Sequence, residues 1–441
     1  MTTNKPQVIV TCFAGRQSCM RLFIEYVKML MDKNLVDEFH VWNYAKRRED
    51  EAWLLSEFPN HIEGNTIQRK TLSGHSYEDT ALTLRTFEDV RLQVKAPHDA
   101  HIFLRSKITS TTYEICIGGW GNRRTVIRNA IQGEELVSVQ GKLLNDKEFV
   151  DVTLSLRDNH LILTVGAQEI AIACDVANPL EVFEIHVSGW INTTTTWQYE
   201  DPYDFGRSTH AYKHDKIKLM HIPGKVERRW DEYYKHYNST RYPNHVIIKA
   251  DDDITFMDVE RFAAYIQNRM SHPEVIVMLP SIVNNELCAF YQQQSGLIPE
   301  NTVGPMIYAP KGFGPLWRDG FMCQRLHEHF VENKNAWLET TSKLGVQMIK
   351  PNDRISINFY AITTRDLFVF QMIFCDDETE LTERLPGILN RPHAIDMGFT
   401  VAHLAFFKQR EEGLDADKVY RDYEALYNTS IHKFGDHILD Q

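Results

Sequence analysis

Residues 245–258 read HVIIKADDDITFMD. Four apolar or near-apolar residues from Val246 run into three consecutive aspartates, Asp251, Asp252 and Asp253, and Ile254, Thr255 and Phe256 follow. Adjacent carboxylates at the edge of a core repel one another and lose solvation, so a positive partner is expected there. Hard oxygen ligands at a strand end suit Mg²⁺ or Mn²⁺, and such an ion keeps coordination positions open for the oxygens of a substrate diphosphate. The ordinary alternative for an acidic triplet is a solvated loop. Apolar sequence on both sides favours the metal.

With Asp251 and Asp253 as its two acidic positions, the stretch resembles the DxD signature of GT-A glycosyltransferases. The resemblance implies a divalent cation, Mn²⁺ or Mg²⁺, holding the diphosphate of a nucleotide sugar, with UDP the commonest nucleotide. The middle aspartate leaves the ligand assignment open among Asp251, Asp252 and Asp253.

Composition sets outer limits. A chain of 441 residues, 43% hydrophobic and 24% charged, has room for two domains or one large domain with an insertion. A net charge of −12 argues against nucleic acid or an anionic membrane as the main partner. The start, MTTNKPQVIVTCFAGR, lacks the apolar core of a signal peptide, and no apolar run approaches the ~18 residues of a membrane span. Seven cysteines, scattered and never in CxxC spacing, read as reduced thiols of a cytoplasmic protein. The sequons at Asn192, Asn238 and Asn428 are then expected to stay unmodified.

From the N-terminus, QVIVTCF reads as a buried strand, a helix starts near Ser18, DEFHVWNY is a second strand, RREDEAWLLSEF a second helix and NTIQRKTL a third strand. This alternation predicts a parallel sheet with its ligand at the carboxyl ends of the strands. Thr11, Cys12, Phe13 and Arg16 after the first strand, and Trp42 and Asn43 after the second, are therefore candidate nucleotide contacts. Arg16 suits a phosphate, or equally a surface salt bridge.

From about Phe87 to Trp197 short alternating runs separated by Asn, Asp and Gly replace the helical spacing, which indicates an antiparallel sandwich or barrel. DAHIFLRS, YEICIGGWGNRRTVIR, VDVTLSLRDNHLILTVG and FEIHVSGW resemble the farnesoic acid O-methyltransferase-like domain. No methyl-donor fingerprint accompanies them, so the module reads as a binding or structural unit. Trp120, Asn122, Trp190 and Trp197 form either a sugar platform or sandwich core. The module's role stays open between touching the acceptor and pairing two copies of the chain.

The α/β texture returns at Lys216. The expected architecture is an α/β GT-A domain, a Rossmann-like mixed sheet with flanking helices, spanning 1–86 and 205–441. Its nucleotide half is 1–86 plus 205–258 and its acceptor half 259–441, with the sandwich inserted at 87–204. Beyond the aspartates, Asn284, Asn285 and Gln292 offer amides to sugar hydroxyls, and LIPENTVGPMIYAPKGFGPLWRDG reads as a mobile lid. RDLFVFQMIF reads as a helix before Asp376, Asp377 and Glu378. His403 falls in a late apolar run.

The GT-A resemblance implies that Asp253 and His403 share the metal with Asp251, and that the base for an inverting transfer heads a helix in the acceptor half, at Asp377. A core histidine at 403 and a simple helix cap at 376–378 are the plain alternatives. The expected activity is a metal-dependent glycosyl transfer from a nucleotide sugar to a hydroxyl acceptor such as a glycan. A retaining enzyme would use the same metal without Asp377 as base. A glycan-binding protein with a disabled α/β domain and a metal-dependent phosphohydrolase are the competing classes.

Overall fold

Residues 6–58, 61–62, 66–85, 89–106, 109–157, 160–173, 182–201, 216–220, 229–237, 242–370 and 376–435 are described in the computed structural model. VIVTCFA becomes the strand Val8–Ala14, buried along nearly its whole length, as a strand covered on both faces must be. It pairs in parallel with Val246–Asp251, Phe13 lying opposite Asp251, and with Glu38–Asn43. The sheet continues in parallel through Ile217–Met220 to His61–Ile62. On the other side Val246–Asp251 meets Phe359–Thr363 antiparallel, followed by Met278–Val283, His393–His403 and Ile254–Met257. The sheet is mixed, as expected: parallel from Val246–Asp251 through the first strand to His61–Ile62 and again between Met278–Val283 and His393–His403, antiparallel elsewhere.

Helix Gln17–Asp32 covers one face with Leu22, Phe23, Tyr26, Val27 and Leu30, spaced three and four apart. It begins one residue before Ser18, and Asp50 supplies the missing cap by accepting the Gln17 N–H at 3.0 Å. The opposite face lies under helix Arg229–Tyr237, where Tyr233 stands edge-on to Phe13 and Trp42. Among the described residues of the helix expected at RDLFVFQMIF, one helical turn is present, Thr364–Leu367; residues 371–375 lie outside the described residues. Its Phe-Val-Phe run carries β-branched and aromatic side chains that lose rotamer freedom in a helix.

Two six-stranded antiparallel sheets make the inserted sandwich. They enclose Leu84, Ile102, Leu104, Ile115, Leu154, Leu163, Phe183 and Trp197. The stretch NTIQRKTL does not continue the parallel sheet. Thr66–Leu72 pairs along its length with Thr195–Asp201, and Glu78–Arg85 pairs with Val182–Ser188. The sandwich therefore starts by Thr66 instead of residue 87. Ile67 is exposed and Leu72 buried in this strand, the alternation of a sheet wet on one face. Arg85, itself buried, donates from Nη1 to the carbonyls of Phe368 at 2.8 Å and Phe370 at 3.2 Å, tying the sandwich to the α/β part. No described helix is long and apolar enough to cross a membrane, and the five described cysteines are unpaired and buried.

Candidate metal centre

The acidic triplet occupies the tight turn between Val246–Asp251 and Ile254–Met257. Strand register decides what faces it. Ile254 lies opposite His403, and the Leu404 N–H donates to the Asp253 carbonyl at 2.9 Å, which brings the imidazole to Asp253. Ala250 lies opposite Phe359, and the Asp251 N–H donates to the Asn358 carbonyl at 2.8 Å. The donor atoms of Asp251, Asp253 and His403 consequently all lie within 4.8 Å of one another. His403 Nε2 is 3.3 Å from Asp253 Oδ1, and Asn358 Nδ2 donates to Asp251 Oδ2 at 3.1 Å.

Asp253 is 1% exposed and His403 3%. Asp253 Oδ1 nevertheless has no hydrogen-bond partner, although His403 Nε2 stands 3.3 Å away. A carboxylate oxygen buried in this way costs about 1–3 kcal/mol or more, a cost that a coordinated cation removes. Neighbouring donors at ~2.1 Å from a six-coordinate ion lie roughly 3 Å apart, so the spacing fits. Two carboxylates with one imidazole suit Mn²⁺ better than the harder Mg²⁺.

Fixed cations surround the cluster. Arg16 Nη2 and Arg410 Nη2 lie 3.0 and 3.2 Å from Asp253 Oδ2, and Lys249 Nζ lies 2.6 Å from Asp251 Oδ1. Burial pushes the Asp253 carboxyl up, but His403, Arg16 and Arg410 outweigh it and hold it below the usual carboxylate range. Burial would likewise depress Lys249, yet Asp251 and Asp377 keep its ammonium above the ordinary value. A cavity of ≈ 190 Å³ opens beside Arg410, walled by Ser18, Cys19, Leu404 and Tyr420.

Asp377 begins the short helix Asp377–Thr379, while Asp376 performs the capping, accepting the Thr379 N–H at 2.7 Å. Asp377 is left to accept the Tyr234 hydroxyl at 3.1 Å, and Tyr234 in turn meets Tyr360 at 3.0 Å. Burial raises the Asp377 carboxyl, against the opposing pull of Lys249 and the Tyr234 hydroxyl. Lys249 thus acts on both the acidic turn and Asp377.

Several sequence candidates do other work. Asp252 accepts the Gly15 N–H at 3.0 Å and the Arg16 guanidinium, which fastens the loop after the first strand and leaves Asp251 and Asp253 as the converging pair. Thr11 is buried against Tyr233 and the Ile248 carbonyl, and Cys12 lies in the core. Trp42 is buried under Tyr233, and Asn43 caps its own loop at Ala45. Thr11 and Cys12 precede the strand exit, while Asn43, opposite Ala14, lies at the exit but spends its side chain on its own loop; Phe13, stacked on Tyr44, and Arg16 reach it. Asn284, Asn285 and Gln292 are fully buried and bonded internally, to Gln409 and the His403 carbonyl, to the Ser356 carbonyl, and to Ser281 respectively. They cannot greet an acceptor. Of the tryptophans, Trp197 is core, Trp120 is exposed with Arg124 lying 3.5 Å over its ring, and Asn122 braces the backbone of Leu143 and Leu144.

The expected mobile lid, residues 297–320, is pinned at many points. Gln293 bonds Gly304 and Met306, Gln409 donates to the Leu316 carbonyl, and Glu286 Oε2 accepts the Trp317 N–H at 3.2 Å. Glu286 is buried with Oε1 unpartnered, and burial pushes its carboxyl up to about 7. Its folded value exceeds the ~4.3 of an unfolded glutamate, so the stability it contributes is complete below ~4 and is lost as pH rises through about 7. The loss is on the order of 3 kcal/mol. Glu286→Gln is expected to flatten that part of the stability curve. Urea melts of both proteins at about pH 5 and about pH 8 measure it; an equal pH dependence in the two refutes it.

Sequence reasoning missed Lys249, Asn358 and Arg410. Lys249 carried a signal, since an ammonium inside an apolar strand requires a buried anion. The other two depend on strand pairing and helix docking far along the chain.

The farnesoic acid O-methyltransferase family matches residues 72–203, the sandwich. No curated protein matches the chain. Among solved structures, a carbohydrate-binding module CBM66 from Bacillus subtilis is 9% identical, covering 31% of this chain and 90% of its own, with a TM-score of 0.24. A Dario rerio galectin-1-L2 is 7% identical over 28% of this chain and 96% of its own, TM-score 0.22. A toad ovary galectin in complex with thio-digalactose is 10% identical over 29% of this chain and 97% of its own, TM-score 0.21.

Proposed function

We propose that the chain is a metal-dependent glycosyltransferase of GT-A type, moving a sugar from a nucleotide sugar, UDP-linked in preference, to a hydroxyl acceptor with inversion. The observation that carries this reading is the convergence of Asp251, Asp253 and His403 at the carboxyl end of a central strand, with the buried Asp253 Oδ1 lacking a partner. Asp251, Asp253 and His403 would hold Mn²⁺, which when bound neutralises charge developing on a departing diphosphate. Arg16 and Arg410, each partly exposed, turn fixed positive charge toward the same oxygens. Phe13 and Tyr44 present a stacked aromatic edge at the strand exit for a nucleobase. Asp377 takes the acceptor proton, its basicity raised by burial and trimmed by Lys249. A cytoplasmic location accompanies the reading.

Calorimetry with Mn²⁺ and a panel of nucleotide sugars tests it. Nucleotide binding that disappears in EDTA supports the transferase; metal-dependent phosphate release from simple esters would point to a hydrolase instead. A second reading, glycan binding by the sandwich, is favoured by a groove of ≈ 620 Å³ over one sheet, lined by Arg91, Gln93, Asp151, Thr153 and Gln198. There Gln198 donates to Gln93 at 3.0 Å and Gln93 to Asp151 at 2.8 Å, a polar row across neighbouring strands. Glycan heats that persist without nucleotide or metal would support it.

A further inference from the structure

The sandwich carries a second convergence of donor atoms, independent of the acidic turn. Strands Ala100–Ser106 and Thr112–Gly118 pair with His101 opposite Cys116 and Phe103 opposite Glu114. His101, Glu114 and Cys116 therefore share the face turned away from the Ile102, Leu104 and Ile115 core. Such a face normally meets water. Here His101 is 3% exposed and Glu114 fully buried, because His75, Tyr77 and Trp190 close over them.

Glu114 Oε1 lies 3.3 Å from His101 Nδ1 and 3.7 Å from His75 Nε2, and the three residues' donor atoms all fall within 4.8 Å of one another. His75 Nε2 and His101 Nε2 have no hydrogen-bond partner. The carboxylate is held in place from behind: Arg128 and the Gln132 N–H donate to Oε2 at 2.9 and 2.7 Å, and the Tyr77 hydroxyl donates to Oε1 at 2.6 Å.

We propose that His75, His101 and Glu114 bind a divalent transition-metal ion of the zinc class, leaving a fourth position for water or a ligand oxygen. Donors ~2.0–2.1 Å from a tetrahedral ion lie roughly 3.3 Å apart, close to the spacings present. Two imidazoles with one carboxylate form a softer set than that of the acidic turn, so the two centres divide Zn²⁺ from Mn²⁺. Asp99, His101 and Cys116 also bring donor atoms within 4.8 Å, but there the Cys116 thiol already donates to Asp99 Oδ1 at 3.9 Å.

The test uses the full chain stripped of metal and titrated with Zn²⁺ against a chromophoric chelator. One equivalent is expected to bind tightly, to persist in Asp253→Asn, and to weaken in His75→Ala and Glu114→Gln by more than the roughly tenfold to hundredfold that loss of an outer-shell partner costs. His75 sits at the rim, so its truncation spares the buried strand, and thermal melts verify that each variant is folded. Co²⁺ in place of Zn²⁺ is expected to show tetrahedral ligand-field absorption without a thiolate charge-transfer band. No Zn²⁺ equivalent, equal affinity in both folded variants, or a thiolate band placing the ion on Cys116 would each overturn the proposal.

Discussion

Asp253→Asn is expected to lower the metal-dependent transfer rate by about a thousandfold, roughly 4 kcal/mol of barrier. Asparagine keeps the shape of the side chain and an oxygen for Arg16 and Arg410, but removes the charge that Asp253 would offer the proposed cation beside Asp251 and His403. Mn²⁺ affinity should fall with the rate, and far-UV circular dichroism should be unchanged. Asp252→Asn provides the contrast. That carboxylate braces Gly15 and Arg16, so its loss is expected to lower thermal stability while Mn²⁺ still binds. Calorimetric Mn²⁺ titrations of the two variants decide, and equal Mn²⁺ affinity in Asp253→Asn and the parent protein removes the metal from this turn.

Asp377→Asn is expected to cost between about a hundredfold and ten-thousandfold in kcat, the usual span for a general base, with nucleotide and Mn²⁺ affinities retained. The pH profile carries the sharper signature. Burial raises the Asp377 carboxyl, so the basic form fills only above the ordinary carboxylate range and the rate climbs with pH through that limb. The limb should vanish in Asp377→Asn. In Lys249→Met it should move to higher pH, because the ammonium that opposes the burial effect is gone. Full activity in Asp377→Asn would exclude this residue as base and favour a retaining route.

The acidic turn was legible because its signal is local: an apolar strand ending in like charges demands a counterion wherever it folds. His403 by residue pattern is a lone imidazole among apolar residues, and only the GT-A resemblance pairs it with Asp253. What brings it to Asp253 is its antiparallel register with Ile254, a relation that no window of sequence contains. The same limit explains Asn284, Asn285 and Gln292. Their amides suit a sugar, but residue type does not reveal that each faces the interior, where every amide must find a protein partner. NTIQRKTL erred for a different reason. Its run of four polar residues, Gln68 to Thr71, between Ile67 and Leu72 fits a strand wet on one face, whereas its place after two β-α units points to the buried parallel sheet.

The Arg85 guanidinium makes the sandwich something other than a detachable appendage. It grips the backbone at Phe370, whose ring lies 4.1 Å from that of Tyr234, the hydroxyl that donates to Asp377, the proposed proton acceptor. Engaging a polymer with the insert would then tune the speed of turnover as well as hold the substrate nearby, and an excised version should work slowly on small soluble acceptors that the insert never touches.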